Sequence, residues 1–477
     1  VIGGGESRPT SIMTTFYKRE PGVGYIDSWL WLPKTHVAQA QVESTFTYVG
    51  RNNEAIEAWR DEPHHFRVPR NYLRMETLSK LPFKIYDARV RSFPKVSFTS
   101  RVVLDAKEPE KDYQRRGSAA LLATHDGILC LRCGAGKTVV GLHSAAQLGV
   151  PILITVTDEG LAEQWMEEIE DFLGIDSKDI GYVGGGKFNW KKAITIAQVN
   201  TLAKRADEDR LPPEMLHHFG VIISDEAHVM GAPYFNNAIP PFHGRRWGLS
   251  ATPDREDGFD TLLRYTIGEV VYTYLTPDLR PDFVFRQLPT TLNLADKVVH
   301  ENTHDKTNKF HFGMTYGFIA RTNKDGRTDR IVKDIQAALD SDRQVLVLAH
   351  SKEMTEILGA RFPNAGVVNG DVKGKERRRR IRECNPVIAI MTLGKQALNK
   401  PMLDTLFLVE PFAKKGVLQQ TMGRVLRKYY GKKHPMVIVF EDKYIKQLAA
   451  LCGKIRWLLS HWPAHKGGKI PYTTMKI

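Results

Sequence analysis

The sequence is short of several things, and each shortage narrows the field. Cysteine is scarce, with four in 477 residues, which excludes a small scaffold held by disulfides. Cys130 and Cys133 form a CxxC pair, but Cys384 and Cys452 stand singly and far away. No four-cysteine zinc set can be assembled from them. No apolar run approaches the roughly 20 residues of a membrane-spanning helix, and no long low-complexity tract is present. Val1 to Thr10 lacks the apolar segment of a secretion leader. Met13 reads as a natural start, so residues 1–12 are expected to be an extraneous remnant, and a reducing, cytoplasmic setting is expected. Acidic residues fall short of basic ones, 54 against 68, leaving a net charge of +14. A surface of that sign favours a polyanion.

The positive charge is uneven. Residues 423–477 hold 12 Lys and Arg against 2 Asp and Glu, a balance of +10. A second basic run, KGKERRRRIR, spans Lys373 to Arg382. Either run taken alone is also compatible with a solvated helix face.

At this length two or three domains are expected. From Gln114 onward, short apolar runs alternate with helix-like segments. Ile128–Leu131, Pro151–Val156, Ile194–Ala197, Val221–Ser224 and Trp247–Leu249 read as buried strands. Leu161, Trp165, Ile169 and Phe172 keep helical spacing. The pattern restarts with Val345–Leu348, Val387–Met391, Leu406–Val409 and Val437–Phe440. Alternation of this kind predicts α/β units with parallel sheets. The first hundred residues differ, with Tyr25, Trp29, Trp31, Tyr48 and Trp59 amid alternating residues and proline breakers. They predict a small α+β module in which Trp29, Trp31 and Trp59 either stack on bases or form its core. The expected division is an N-terminal accessory domain at 13–107, a first α/β domain at 108–275, an irregular connector at 276–340, and a second α/β domain with a basic tail at 341–477.

Four segments carry the chemistry. In LRCGAGKT, strand Ile128–Leu131 leads through Arg132–Gly136 to Lys137 and Thr138. Glycines there let backbone N–H groups of Cys133, Gly134, Ala135 and Gly136 converge on phosphate oxygens, and the helix start adds its dipole. Lys137 is expected on the β and γ phosphates of ATP, and Thr138 on Mg²⁺. Next, Val221–Ser224 delivers Asp225 and Glu226 of a DEAH sequence at a strand's C-terminal end, where α/β sheets bind ligands. Asp225 is expected to hold Mg²⁺ and Glu226 to activate the attacking water. Ser250-Ala251-Thr252 follows. Last comes QTMGRVLR, in which Gln420, Arg424 and Arg427 are expected to meet the γ-phosphate. The alternative for these arginines is a basic helix on nucleic acid.

These residues, in this order, resemble superfamily 2 helicases from about Lys111 to Phe440. The likeness implies two tandem RecA-like domains. Tyr113–Gln114 resembles the motif whose amide reads adenine. ITVTDEGLAEQW, with Thr157, and IAQVNTL, with Gln198, resemble the segments lining the nucleic-acid path. His228, Ser250 and Thr252 resemble the residues that couple hydrolysis to strand binding. VLVLAHS, ending at Ser351, and the segment from Thr392 to Pro401 resemble two further motifs assigned to nucleic acid. In the latter, Asn399 replaces the usual Asp. Within the superfamily, LRCGAGKT and the Arg255-Glu256-Asp257 that follows Ser250-Ala251-Thr252 resemble the XPB-type and UvsW-type DNA translocases, the latter encoded by phages.

The resemblance implies an ATP-dependent DNA helicase or translocase. It would act as a monomer on forks and junctions in recombination, replication or repair, in the host-cell cytoplasm if phage-encoded. Two other readings stand beside it: the motor of a restriction system, for which Glu441-Asp442-Lys443 offers only a fragment of a nuclease motif, and an RNA helicase.

Overall fold

The computed structural model describes residues 19–476 apart from 50–54, 74–79, 103, 105–111, 133, 232–236, 252–258, 276–278, 280, 373, 392–399, 401, 412–417, 419–420, 424, 426–428 and 461–471. The N-terminal module is a five-stranded sheet with the helix Gln39–Phe46 and a hairpin of β3 (Thr47–Val49) and β4 (Ala55–Glu57). Its strands are β1 (Gly24–Ile26), β2 (Leu30–Pro33), β5 (Arg60–Asp61), β6 (His65–Val68) and β7 (Ile85–Asp87), in the order β5-β6-β2-β1-β7. Strand alternation sends Ile26, Leu30, Leu32, Phe66 and Val68 to one face, where they meet Val42 and Phe46 of the helix. The tryptophans make contacts within the module. Trp31 is buried and donates its indole N–H to Asp27. Arg67 lies over Trp29, and Trp59 meets Phe66 edge-on.

This module is not a separate domain. Its core includes Phe259 and Leu262 from the helix Asp260–Ile267 and the flanking residue, and Tyr265 closes on Phe46 and Tyr72. Arg70, fully buried, forms a two-pronged ion pair with Asp126, 2.7 Å on each arm. It also donates to the carbonyls of Gly244, His243 and Asp27. Arg246 answers from the other side by donating to Ser28 O. The expected boundary near 107 therefore divides one packed body.

The first large sheet has eight strands: β8 (Asp126–Leu131), β9 (Ile152–Val156), β10 (Ile180–Gly184), β11 (Lys187–Asn189), β12 (Ile194–Gln198), β13 (Val221–Asp225), β14 (Arg245–Ser250) and β15 (Val270–Tyr274). Their order is β11-β10-β12-β9-β13-β14-β8-β15, parallel throughout except for the β10–β11 hairpin. Hydrophobic cores cover both faces, which is why the strands read as unbroken apolar runs. The helix Glu159–Leu173 buries Ala162, Trp165, Ile169 and Leu173 on one stripe and takes its N-cap from Asp158.

The second sheet comprises β16 (Asp282–Leu288), β17 (Val345–Ala349), β18 (Gly366–Val368), β19 (Val387–Ile390), β20 (Thr405–Leu408), β21 (Met436–Asp442) and β22 (Tyr472–Lys476). The order is β18-β19-β17-β20-β21-β16-β22, again parallel. One expectation is corrected here. The stretch 276–340 is not an irregular connector: β16 is an inner strand of the second sheet, and Phe312–Thr322 and Arg327–Asp340 are helices packed on that domain. Within the basic end, Lys446–Ser460 is a helix and β22 pairs with β16. Among the described residues no helix is long and apolar enough to cross a membrane.

Candidate active site

The C-terminal edge of the first sheet gathers the candidate residues. The pairing order sets β14 between β8 and β13, with Ser250 opposite Cys130 and Asp225 opposite Leu249. Ser250 thus stands between the loop that follows β8 and the Asp225 end of β13. Thr157 and Gln198 sit at the same edge, since β9 and β12 pair Val156 with Gln198. The hydroxyl of Thr157 donates to Asp158.

The loop after β8 has the backbone its glycines predict. Gly134 and Gly136 adopt φ of 79° and 81°, a left-handed region that a side chain would strain. A Cβ on Gly136 would also lie 2.6 Å from the Gln114 amide nitrogen. That amide donates to Ala135 O at 2.8 Å, so Gln114 here braces the loop itself. Tyr113 supports it from behind, stacked on Tyr274 with ring centroids 4.0 Å apart. Lys137 and Thr138 open the helix Lys137–Leu148 directly after Gly136.

Asp225 ends β13 and is held on both oxygens. The Glu226 N–H donates to Oδ1 at 2.9 Å, and the indole N–H of Trp165 donates to Oδ2 at 2.9 Å. Burial, and then the Glu226 charge beside it, push the Asp225 carboxyl up to about 6; the Lys137 charge and the Trp165 hydrogen bond act the other way. Glu226 has φ of 48°, uncommon for a residue with a side chain. His228 Nδ1 lies 3.4 Å from Glu226 Oε2 and 3.5 Å from Ser250 Oγ, bridging the two segments. Glu226 Oε2 is buried and forms no hydrogen bond among the described residues. A carboxylate oxygen without a hydrogen bond, beside the second carboxylate of Asp225, suits a hard divalent cation, with the Thr138 hydroxyl as a further oxygen donor.

One assigned residue has a different task. Ser351 was expected to touch nucleic acid, but it is buried, and its hydroxyl donates to Glu410 at 2.8 Å. The backbone N–H groups of His350 and Ser351 donate to the same carboxylate. Ser351 also caps the helix Lys352–Gly359 through its oxygen. Its polar atoms are therefore used inside the second domain. Cys133, Thr252, Arg255, Glu256, Asp257, Thr392, Gln420, Arg424 and Arg427 lie outside the described residues. The motif reading passed over Trp165. An indole N–H within an otherwise apolar stripe was the available signal, because a buried donor needs an acceptor.

Two parallel α/β sheets, the first carrying a glycine-shaped loop and a paired-carboxylate strand end, give the chain a two-domain RecA-like fold. Residues 107–255 match the family described as "Type III restriction enzyme, res subunit", and the chain is similar to XPB-type helicases and translocases. It is 28% identical over 333 residues to the DNA 3'-5' translocase XPB2 of Sulfurisphaera tokodaii, covering 68% of this chain and 71% of that one. It is 27% identical over 274 residues to the DNA 3'-5' helicase XPB of Mycobacterium tuberculosis, covering 56% of this chain and 48% of the relative. The match thus spans about half the length of the mycobacterial protein. In fold it is similar to Saccharomyces cerevisiae Dbp5 bound to RNA and ADP BeF3, with a TM-score of 0.53 at 14% identity over 76% of this chain and 89% of that one.

Proposed function

We propose that this protein is a DNA-dependent ATPase that converts ATP hydrolysis into movement along DNA. It would remodel forks and junctions or unwind short duplexes in recombination, replication or repair, as a monomer. The observation that carries the reading is the Asp225–Glu226 pair set beside the Gly134–Thr138 loop on one sheet edge, with a second parallel sheet in the same chain.

The loop amides and Lys137 would bind the β and γ phosphates, and Gln114 would keep the loop in its receptive shape. Asp225 and Thr138 would hold Mg²⁺, which, when bound, neutralises charge on the phosphate oxygens. Glu226 would orient the attacking water and accept its proton. His228 would report the state of Glu226 to Ser250. Arg424 and Arg427 would stabilise the transition state. Gln420 would act beside them on the γ-phosphate. Closure of the two domains on ATP and their release after hydrolysis would advance the chain.

The restriction-motor reading loses support at its one nuclease-like fragment. Asp442 is buried in a pair with Arg327, and Glu441 is paired with Arg456. Neither carboxylate is arranged for a metal, and no group of three or more metal-binding side chains occurs among the described residues.

ATP turnover measured with DNA forks, junctions, linear duplex and RNA tests the proposal. DNA is expected to stimulate turnover, more weakly as salt rises because phosphate contacts release counterions. Stronger stimulation by RNA would transfer the assignment to an RNA helicase, and absence of turnover with every nucleic acid would overturn it.

A further inference from the structure

We infer that Trp165 is a positioning residue for divalent-metal binding: its indole N–H fixes the plane of the Asp225 carboxylate so that the remaining lone pairs face the phosphate loop. The inference rests on the nucleotide site proposed above.

The geometry is specific. Trp165 lies in the middle of the helix Glu159–Leu173, on the stripe Ala162, Trp165, Ile169 and Leu173. Any large apolar side chain would fill that stripe. Only an indole among apolar-bodied side chains offers a fixed N–H without a charge or a rotatable hydroxyl. Trp165 is 1% exposed, and its N–H points across 60 residues of sequence to Asp225 Oδ2 at 2.9 Å. Such a bond is not automatic for a buried tryptophan. Trp247, equally buried, has an indole nitrogen with no hydrogen-bond partner among the described residues.

A carboxylate has about four acceptor directions. The Glu226 N–H occupies one on Oδ1 and the Trp165 N–H one on Oδ2. Two donors on different oxygens remove the rotation about the terminal bond that an ion pair with one contact would leave. The carboxylate would then meet the cation without reorganising. Outer partners of this kind orient metal ligands, and their loss commonly weakens metal binding by roughly 10–100-fold.

The test uses the full chain with Mn²⁺ as the probe, its binding followed by electron paramagnetic resonance in the presence of ADP. Trp165→Phe keeps a ring in the stripe and removes the N–H. It is expected to weaken Mn²⁺ binding by roughly tenfold or more while ADP binding without metal stays as in the parent. In steady state, the Mg²⁺ concentration for half-maximal turnover should rise, with kcat recovering at saturating Mg²⁺. A purely packing role would not split the two constants in this way. Should the phenylalanine chain melt early, 3-benzothienylalanine at position 165 retains the indole shape with sulfur in place of N–H, and the same weakening is expected. Equal Mn²⁺ affinity for parent and isostere would overturn the inference and leave the nucleotide site standing. A parent chain that binds no Mn²⁺ with ADP would overturn both.

Discussion

Lys137→Ala is expected to lower ATP turnover by at least about a hundredfold while leaving DNA affinity close to that of the parent. The lysine opens the helix Lys137–Leu148 at the exit of the loop shaped by Gly134 and Gly136, and its charge acts on Asp225. Removing it takes away the cation that would meet the β and γ phosphates just where negative charge concentrates. It touches no strand core, since the helix buries Val140, Gly141, Leu142, Ser144 and Ala145 instead. Turnover in a phosphate-release assay, with DNA affinity by fluorescence anisotropy, separates the two effects. Turnover at the parent rate would remove the phosphate-loop assignment.

Arg70→Met is expected to destabilise the first domain together with the N-terminal module, by about 3–5 kcal/mol. The guanidinium is wholly buried, and its loss leaves Asp126 without its main partner. Burial alone would raise the Asp126 pKa, but the Arg70 charge and the hydrogen bonds from His125 and Arg70 outweigh it and hold the carboxyl far below its ordinary value. A depressed carboxyl of this kind stabilises the fold above the unfolded pKa, near 3.9, and the contribution fades as pH falls below that value. The substitution should therefore matter fully at neutral pH. A drop in melting temperature on the order of 10 °C is expected, read by circular dichroism. An unchanged melting temperature would show the module to be a loosely attached arm. The same junction means that deleting residues 1–105 would bare Phe259, Leu262 and Tyr265, so a truncated chain reports folding as much as DNA recognition.

The sheets were legible where both faces are buried. Val221–Ser224, Val345–Leu348 and Val437–Phe440 are continuous apolar runs because cores lie above and below them. β16 escaped notice because Asp282, Arg286 and Gln287 interrupt it. Phe283 and Phe285 serve one core while Val284 and Leu288 serve the other. Its neighbours β21 and β22 lie more than 140 residues onward, and nothing local announces them. The left-handed loop at Gly134 and Gly136 and the strand end at Asp225 were legible because each is written in contiguous residues. The bond from Trp165 to Asp225 and the pair of Arg70 with Asp126 join residues 60 and 56 apart, and only the fold brings them together. Ser351 misled for the opposite reason. Its position beside VLVLAH matched a motif, but a buried Glu410 from another strand end takes its hydroxyl.

The central claim is that ATP is hydrolysed at a seam needing both domains. Its most direct test is single-turnover hydrolysis by Arg427→Ala at saturating ATP and DNA, with ATP affinity measured alongside. Affinity within a few-fold of the parent and hydrolysis slower by about a thousandfold or more are expected. Hydrolysis at the parent rate would contradict it and confine the chemistry to the first domain.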